Sequence, residues 1–312
     1  MSRKAVLSTV LLSALISIAQ LREAAALDFF HAEGRHLVSD TTGESFVFRG
    51  VNLTGLEFGA FFENPYTGTP GTDYFVPRTE DLDAIQQLGF NVVRLPFEWA
   101  RLVPDEWAPG QALPMALEPA YLGIIEDVVA AAATRELQVV LEMHDFLKYW
   151  SGEGESPVCV DLSPDHQALL VHTWTLLANQ FAGEQVVLGF DLMNEPVREE
   201  AGEPCSSCGW HAIVQAIVDA IRTVDQDHLI FVEDPNYSLA SDWSVENGKI
   251  PFVSDSVSPP RIVYSPHVYF DLDNDSRYDD PGEETGPVGA WQHYVRFPES
   301  WQQLYAVAQD RQ

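Results

Sequence analysis

Cationic residues are scarce in this 312-residue chain, which carries 17 Lys and Arg against 47 Asp and Glu and a formal net charge of −30 at pH 7. A surface of this sign repels phosphate backbones and anionic lipids, which disfavours nucleic-acid and membrane partners. The composition therefore favours a neutral or cationic substrate.

Long apolar runs are also missing. The longest, residues 5–19, is shorter than the roughly 20 residues that a membrane-spanning helix needs. Two cations, Arg3 and Lys4, precede it, and three small residues, 24–26, follow it. This pattern is typical of a secretory signal peptide, so we predict that residues 1–26 are removed on export to the extracellular space. Residues 27–312 are then expected to form one domain.

Cysteines number only three. Cys205 and Cys208 form a "CSSC" pair, but a zinc site needs a second pair of ligands and none stands at a suitable spacing. An oxidising compartment favours a Cys205–Cys208 disulfide instead, and the pairing of Cys159 stays open. Three sequons leave N-glycosylation open as well: Asn52, Asn236 and Asn274.

Apolar segments predict six strands, which are listed here: 46–52, 91–97, 137–144, 186–194, 228–234 and 261–269. Helical patterns lie between or after them, near 79–89, 119–135, 164–182, 209–224 and 299–309, and a hairpin is predicted before the first strand. Strands of near-continuous Val, Ile, Leu and Phe that alternate with helices indicate a parallel sheet. That sheet is either a closed (β/α)8 barrel or an open doubly wound sheet. No G-x-G-x-x-G follows a strand, which argues against dinucleotide binding.

Polar residues collect where these strands end. Arg94, His144, Asn194, Glu195 and His267 all occupy such positions. Each has a structural alternative: a lone Arg or His at a strand end is usually a satisfied hydrogen-bonding residue, and Glu195 next to a proline could begin a helix. Several such groups buried in one layer cost free energy unless they satisfy each other or a ligand. In a barrel this edge holds the active site.

The segments "LGFNVVRLPFEW", "VVLEMHDF", "GFDLMNEP", "LIFVED" and "YSPHVYF", in this order, resemble glycoside hydrolase family 5. Its best-known members are secreted cellulases. The resemblance covers roughly residues 35–309 and implies a (β/α)8 TIM barrel, of which about six β/α units are present in this chain. It further implies a retaining hydrolase that cleaves β-1,4-glucan, works as a monomer on a polysaccharide or oligosaccharide, and needs no metal or cofactor.

The resemblance also assigns roles. Glu195 would be the general acid and then the general base, and Asn194 would bind the sugar 2-hydroxyl. Four further residues would hold the carboxylates and the sugar in place: Arg94, His144, His267 and Tyr269. The predicted substrate contacts are Asp145, Trp150 and Trp243, although Trp150 could equally be a loop anchor.

The family's nucleophile is a Glu at the end of a seventh strand, and this chain contains no matching segment. At about 43 residues per unit, the seventh strand would end near residue 310 and the nucleophile is expected beyond Gln312. Glu283 and Glu284 lie in a turn-rich loop and Glu299 begins a helical pattern, so none is a good substitute. The notable expectation is thus a catalytic barrel over 27–312 that lacks strands 7 and 8.

Two alternatives remain open on the sequence. A degenerate, noncatalytic carbohydrate-binding barrel would keep the cleft and lack the nucleophile. A relative acting on mannan or another β-glycan would share the same strand-end residues. A metal-dependent hydrolase is disfavoured because the sequence contains no His-x-His or His-Glu-x-x-His.

Overall fold

The structure is a computed structural model that describes residues 27–59, 68–104, 107–150, 158–160, 163–197, 199–200, 203–204, 209–235, 237–238 and 253–267. It begins with three short antiparallel strands: β1 (Phe30–Glu33), β2 (His36–Ser39) and β3 (Ser45–Phe46). No helix in these residues is both long and apolar enough to cross a membrane.

Six parallel strands then form one sheet, and their order in the sheet is their order along the chain. They are β4 (Gly50–Asn52), β5 (Val92–Phe97), β6 (Gln138–Met143), β9 (Val187–Asp191), β12 (Leu229–Val232) and β13 (Ile262–Tyr264). Two short antiparallel pairs lie in the connections: β7 (Lys148–Tyr149) with β8 (Val158–Cys159), and β10 (Glu199–Glu200) with β11 (Glu203–Pro204). Sequential parallel order with intervening helices is the arrangement of β/α barrel units.

Within the described residues, four α-helices connect the strands: α1 (Thr79–Gln87), α2 (Pro119–Ala133), α3 (Pro164–Phe181) and α4 (Trp210–Arg222). Proline occupies the first position of α2 and α3, where its missing N–H is not needed. Glu118 caps α2 by accepting hydrogen bonds from the backbone N–H of Ala120 and Tyr121 at 2.7 and 3.0 Å. Helix α4 buries one stripe, which includes Ile213, Ile217 and Ile221.

The first predicted strand, 46–52, is wrong as a single element. It divides into β3, which pairs with the hairpin, and β4, which joins the main sheet. The Asn91 side chain explains the break, because it bonds the backbone between the two strands. Its Oδ1 accepts the Arg49 N–H at 2.7 Å and its Nδ2 donates to the Val47 carbonyl at 3.0 Å.

Apolar side chains pack on both faces of the sheet. The outer face packs against the helices, and the opposite face holds a smaller cluster that includes Val140, Leu188 and Leu229. Phe30 belongs to the smaller cluster and meets Phe48 edge to face, with centroids 4.9 Å apart. The amino-terminal hairpin therefore covers this end of the sheet and leaves the carboxyl ends of the strands for a site.

An irregularity in β9 decides which side chains reach that site. Val187 is opposite Val139, but Gly189 is opposite Val140, so Leu188 is an extra residue in β9. Such a bulge reverses the alternation of side chains. As a result Asp191 lies opposite Glu142, on the same face. Gly189 permits the close approach here, since a Cβ on it would lie 2.3 Å from the Leu229 carbonyl oxygen.

Candidate active site

A cluster of charged side chains lies at the carboxyl ends of the parallel strands, with Arg94 at its centre. We call it the Arg94 cluster, and it consists of Arg94, Glu142, Asp191, Asn194 and Glu233. The Arg94 guanidinium donates to Asp191 Oδ2 at 2.8 Å, to Glu233 Oε1 at 2.9 Å and to Asn194 Oδ1 at 3.2 Å. Its Nη1 also lies 3.3 Å from Glu142 Oε2. One cation therefore bridges four strands of the sheet.

Burial makes these contacts energetically important. The side chains of Glu142 and Glu233 are fully buried, and that of Asp191 is 2 % exposed. Burial alone would lower the pKa of Arg94, but Glu142, Asp191 and Glu233 outweigh it and raise that pKa above its usual value. A buried carboxylate without a partner costs several kcal/mol, on the order of 3–5 for a broken pair. Arg94 is thus required to hold this layer together.

Asp191 shows that a single cation does not fully balance three acids. Burial raises the pKa of Asp191 to about 7, with further increases from Glu233 and Glu142 and a partial offset from Arg94. The pKa of Glu142 moves the other way: burial would raise it, but Arg94 and His144 together lower it below its usual value. The cluster therefore favours a protonated Asp191 at mildly acidic pH and an ionised Glu142.

Glu195 lies four residues beyond the end of β9, next to this cluster. The chain between the end of β9 and Glu195 stays hydrogen-bonded to the neighbouring strands β12 and β6. The Leu192 N–H donates to the Phe231 carbonyl at 3.2 Å, and the Asn194 N–H donates to the Met143 carbonyl at 2.7 Å. The Glu195 backbone N–H then donates to Glu233 Oε2 at 2.6 Å. Glu195 has a φ of 44°, in the left-handed region that costs a non-glycine residue on the order of 1–3 kcal/mol. These bonds hold that conformation.

His267 connects Glu195 to the cluster. Its Nδ1 donates to Glu195 Oε1 at 2.7 Å and its Nε2 lies 3.0 Å from Glu233 Oε1. Burial would lower the pKa of His267, but its hydrogen bonds to Glu195 and Glu233 raise it to about 10. Because both ring nitrogens face carboxylates, His267 is an imidazolium that donates twice. Its backbone N–H is fixed by the Ser238 carbonyl at 2.7 Å.

His144 is the other histidine of the site. Its Nδ1 lies 3.0 Å from both oxygens of Glu142. Burial would lower the pKa of His144, but Glu142 outweighs it and Glu57 adds to the increase, so the pKa is raised. Glu57 is itself buried and accepts the Gly55 N–H at 2.7 Å. Burial also raises the pKa of Glu57.

Asp145 does not lie where a sugar contact is expected. It is 1 % exposed, and its Oδ2 accepts the Trp99 N–H at 3.1 Å. Burial raises the pKa of Asp145 and also that of the buried acid Glu98, which favours the protonated forms of these two side chains. The prediction that Asp145 contacts the substrate is therefore not supported. Asp145 is a neighbour in sequence of His144, but its side chain lies within the protein interior.

The remaining predicted positions divide into two groups. Trp150 directly follows β7 and is half-buried, so its predicted stacking on a sugar stays a prediction. The others lie outside the described residues: Tyr269, Trp243, Cys205, Cys208, Glu283, Glu284, Glu299 and the signal peptide 1–26. Cys159 lies in β8 and is half-exposed.

Sequence reasoning missed three of the acids that shape the site: Glu57, Asp191 and Glu98. Asp191 carried a usable signal, since it is the only charged residue in the apolar run 186–193 and a buried charge needs a partner. Glu142 and Glu233 each have a cation partner in Arg94, as a buried carboxylate requires. No group of three His, Cys, Asp or Glu suited to a metal ion occurs among the described residues.

Comparison with known families gives the site its context. Residues 39–300 match the cellulase family, glycosyl hydrolase family 5. The chain belongs to this family. The predicted family membership is confirmed, and with it the barrel fold, because the six sequential parallel strands correspond to part of the (β/α)8 barrel of family 5 structures.

Three relatives illustrate the range of similarity. The probable endo-β-1,4-glucanase B of Aspergillus oryzae is 30% identical over 225 residues, which cover 72% of this chain and 59% of that protein. Endoglycoceramidase I of Rhodococcus hoagii is 26% identical over 277 residues, covering 76% and 52%. The crystal structure of a Pseudomonas stutzeri endoglucanase in complex with cellobiose matches with a TM-score of 0.58 and 30% identity, covering 73% of this chain and 62% of that one. The chain thus spans about 60% of the length of the family 5 glucanases that it matches.

Proposed function

We propose that this protein is a secreted retaining glycoside hydrolase that cleaves β-1,4-glucan, with Glu195 as its acid/base. The observation that carries the proposal is the setting of Glu195. Among the carboxylates that contact the Arg94 cluster or His267, its side chain is the most exposed at 9%, against 0–2% for Glu142, Asp191 and Glu233. Glu195 is thus the acid best able to meet a substrate. The endoglucanase relatives support β-glucan as that substrate.

The geometry suggests how the first step would use these groups. We propose that the Glu195 carboxyl, which His267 holds through Oε1, passes the proton to the glycosidic oxygen. Asn194 already accepts from Arg94 through its Oδ1, which leaves its amide nitrogen as the donor to the sugar 2-hydroxyl. His144, held by Glu142, would bind the same sugar. After glycosyl transfer to a nucleophile, Glu195 would take a proton from the attacking water.

Glu233 is not a candidate for that nucleophile. Its side chain is fully buried, and both of its oxygens already accept hydrogen bonds. Glu142 and Asp191 are excluded for the same reason, since each is buried against Arg94. The nucleophile is therefore proposed outside the described residues. Secretion rests on the pattern in residues 1–26 and stays part of the proposal.

Hydrolysis of carboxymethylcellulose by a form of the protein that includes the nucleophile-bearing segment, followed as release of reducing ends, tests the proposal. Glu195→Gln should lower the rate by about 10²–10⁴-fold, the usual contribution of a general acid, while binding of a cello-oligosaccharide persists. Glu184→Gln, the same change at an exposed position, should leave the rate unchanged. Wild-type activity in Glu195→Gln would contradict the assigned role.

A substrate whose leaving group needs no proton separates the acid role of Glu195 from its base role. With 2,4-dinitrophenyl β-cellobioside, Glu195→Gln should form the glycosyl-enzyme normally but hydrolyse it slowly, because the base is missing. Azide needs no base, so it should restore turnover and yield a β-glycosyl azide. An α-glycosyl azide would refute retention.

The noncatalytic carbohydrate-binding barrel is the second candidate. It is favoured by one observation: the carboxylates of the Arg94 cluster are all buried and paired, so none in the described part of the chain complements Glu195 as a nucleophile. Oligosaccharide binding without hydrolysis of either substrate, by the same form of the protein used in the hydrolysis assay, would support this candidate over the enzyme.

A further inference from the structure

Glu233 receives three hydrogen-bond donors although it cannot reach a substrate. It follows β12 directly, and its side chain is fully buried. Its Oε2 accepts the Glu195 backbone N–H at 2.6 Å. Its Oε1 lies 2.9 Å from Arg94 Nη2 and 3.0 Å from His267 Nε2. The Trp210 indole N–H donates to the Glu233 carbonyl at 2.9 Å, which fixes the backbone from which this carboxylate projects.

These contacts hold Glu195 at two points. At the backbone, Glu233 accepts the N–H of a residue whose φ of 44° is unfavourable for a side chain and persists only when its surroundings fix it. At the carboxyl, His267 bonds Glu195 Oε1 through one ring nitrogen and Glu233 through the other. The orientation of the Glu195 carboxyl therefore depends on Glu233 both directly and through His267.

We infer that Glu233 is a positioning residue for Glu195, and that it acts as the common acceptor for the Glu195 backbone N–H, His267 and Arg94. This inference rests on the proposed acid/base role of Glu195. It adds a role for the Glu233 carboxylate, which touches no substrate and determines the position of the acid/base.

The donor pattern explains why a carboxylate is required here. A glutamine has almost the same shape but only one acceptor oxygen. With its oxygen toward Glu195, the amide NH2 would face the N–H donors of Arg94 and His267. With its oxygen toward those two, the NH2 would face the Glu195 N–H. Either orientation opposes donor to donor in a buried place, so Glu233→Gln removes acceptors while preserving volume.

Substitution of Glu233 should also change the charge state of His267. The groups that act on this imidazole are the carboxylates of Glu195, Glu233 and Glu142 and the guanidinium of Arg94. The pKa of His267 is raised to about 10, because its bonds to Glu195 and Glu233 outweigh burial. Loss of one of these two acceptors should let His267 lose its proton at a lower pH. A role in stability alone would not move this titration.

The test compares the full-length wild type with Glu233→Gln and with the control Glu184→Gln, whose side chain is exposed. We expect kcat for Glu233→Gln to fall on the order of 10–100-fold with KM nearly unchanged, because the acid/base is displaced and no substrate contact is lost. NMR titration of the His267 ring should show an imidazolium through pH 9 in wild type and a lower midpoint in Glu233→Gln. Wild-type kcat and an unshifted midpoint would overturn the inference.

The NMR arm does not depend on activity, so the two proposals can fail separately. A wild type without hydrolase activity but with the shifted His267 midpoint would refute the proposed function and keep the contact scheme. If Glu233→Gln does not fold, the wild type alone suffices. The Glu195 amide proton should then be protected from solvent exchange and shifted downfield by its carboxylate acceptor, and fast exchange at a random-coil shift would overturn the inference.

Discussion

Replacement of Arg94 by Met should leave the buried acids at the carboxyl ends of the strands without the cation that pairs with them. Methionine keeps most of the apolar length of the side chain but removes every contact with Glu142, Asp191 and Glu233. The Arg94 side chain is only 18 % exposed, so solvent would not replace these contacts fully. The variant therefore tests whether this one cation holds the site layer together.

The expected cost follows from burial. Removal of one partner from a buried ion pair costs about 3–5 kcal/mol, and Arg94 serves three carboxylates, so the upper end of that range is expected at pH 8. Domains have about 5–15 kcal/mol of stability in total, so this is a large share. At about 2–4 °C per kcal/mol for a domain of this size, Tm should fall by roughly 10–20 °C. Between pH 8 and pH 5 the buried acids that have lost their cation can take up protons, so the deficit should shrink over this range.

Urea denaturation followed by circular dichroism at pH 5 and pH 8 measures the effect. The control is Arg78→Met, which removes an exposed ion pair with Asp81. Such surface pairs contribute about 0–1 kcal/mol. The reasoning is refuted if Arg94→Met costs no more than Arg78→Met at pH 8, or if its deficit grows as the pH falls.

Three further predictions concern Asp191 and two glycines. Burial, Glu233 and Glu142 raise the pKa of Asp191 from 3.8 to about 7, so the fold favours its protonated form. The resulting stabilisation is complete below the unfolded pKa and is lost as the pH rises through about 7. The free energy of unfolding of the wild type should therefore fall between pH 5 and pH 8, whereas that of Asp191→Asn should not show this loss. Equal losses for the two proteins in thermal melts would contradict the prediction. Gly189→Ala should cost about 1–3 kcal/mol in urea denaturation, because its Cβ would meet the Leu229 carbonyl oxygen at 2.3 Å. Gly123 lies inside α2, and no atom lies within 4 Å of the position that its Cβ would take. Gly123→Ala should therefore stabilise the fold by about 0.5–1 kcal/mol. A change in unfolding free energy of the same sign in Gly189→Ala and Gly123→Ala would disprove the steric explanation.

Four of the predicted helices begin and end within two residues of the observed ones, and the fifth, at 299–309, lies outside the described residues. Runs such as 164–182 and 209–224 pair a helix period with proline or glycine at the start, and these local signals suffice. Each later strand also lies within its predicted segment, since an apolar run between helices has few alternatives in a parallel sheet. However, β9 and β13 end before their predicted ends. The split of 46–52 could not be foreseen, because it depends on Asn91, about forty residues away in the chain.

The residues of the site were likewise predictable only in part from the sequence. Arg94, His144, Asn194, Glu195 and His267 were predicted from their positions at strand ends, and the structure brings all five together around the Arg94 cluster. Asp145 was predicted to contact substrate because it follows His144, but a strand end does not reveal which way the next side chain turns. In the structure its carboxylate accepts the Trp99 N–H in the interior.

Sequence by itself determined the order and type of the main helices and parallel strands and the end of the sheet at which chemistry would lie. These follow from apolar periodicity and from the cost of burying charge without a partner. Only the tertiary structure decided which acids meet Arg94, because that depends on one extra residue, Leu188, which turns Asp191 toward Glu142. It also decided that Glu233 holds Glu195 through its backbone, since a hydrogen bond across 38 residues has no local signature in the chain.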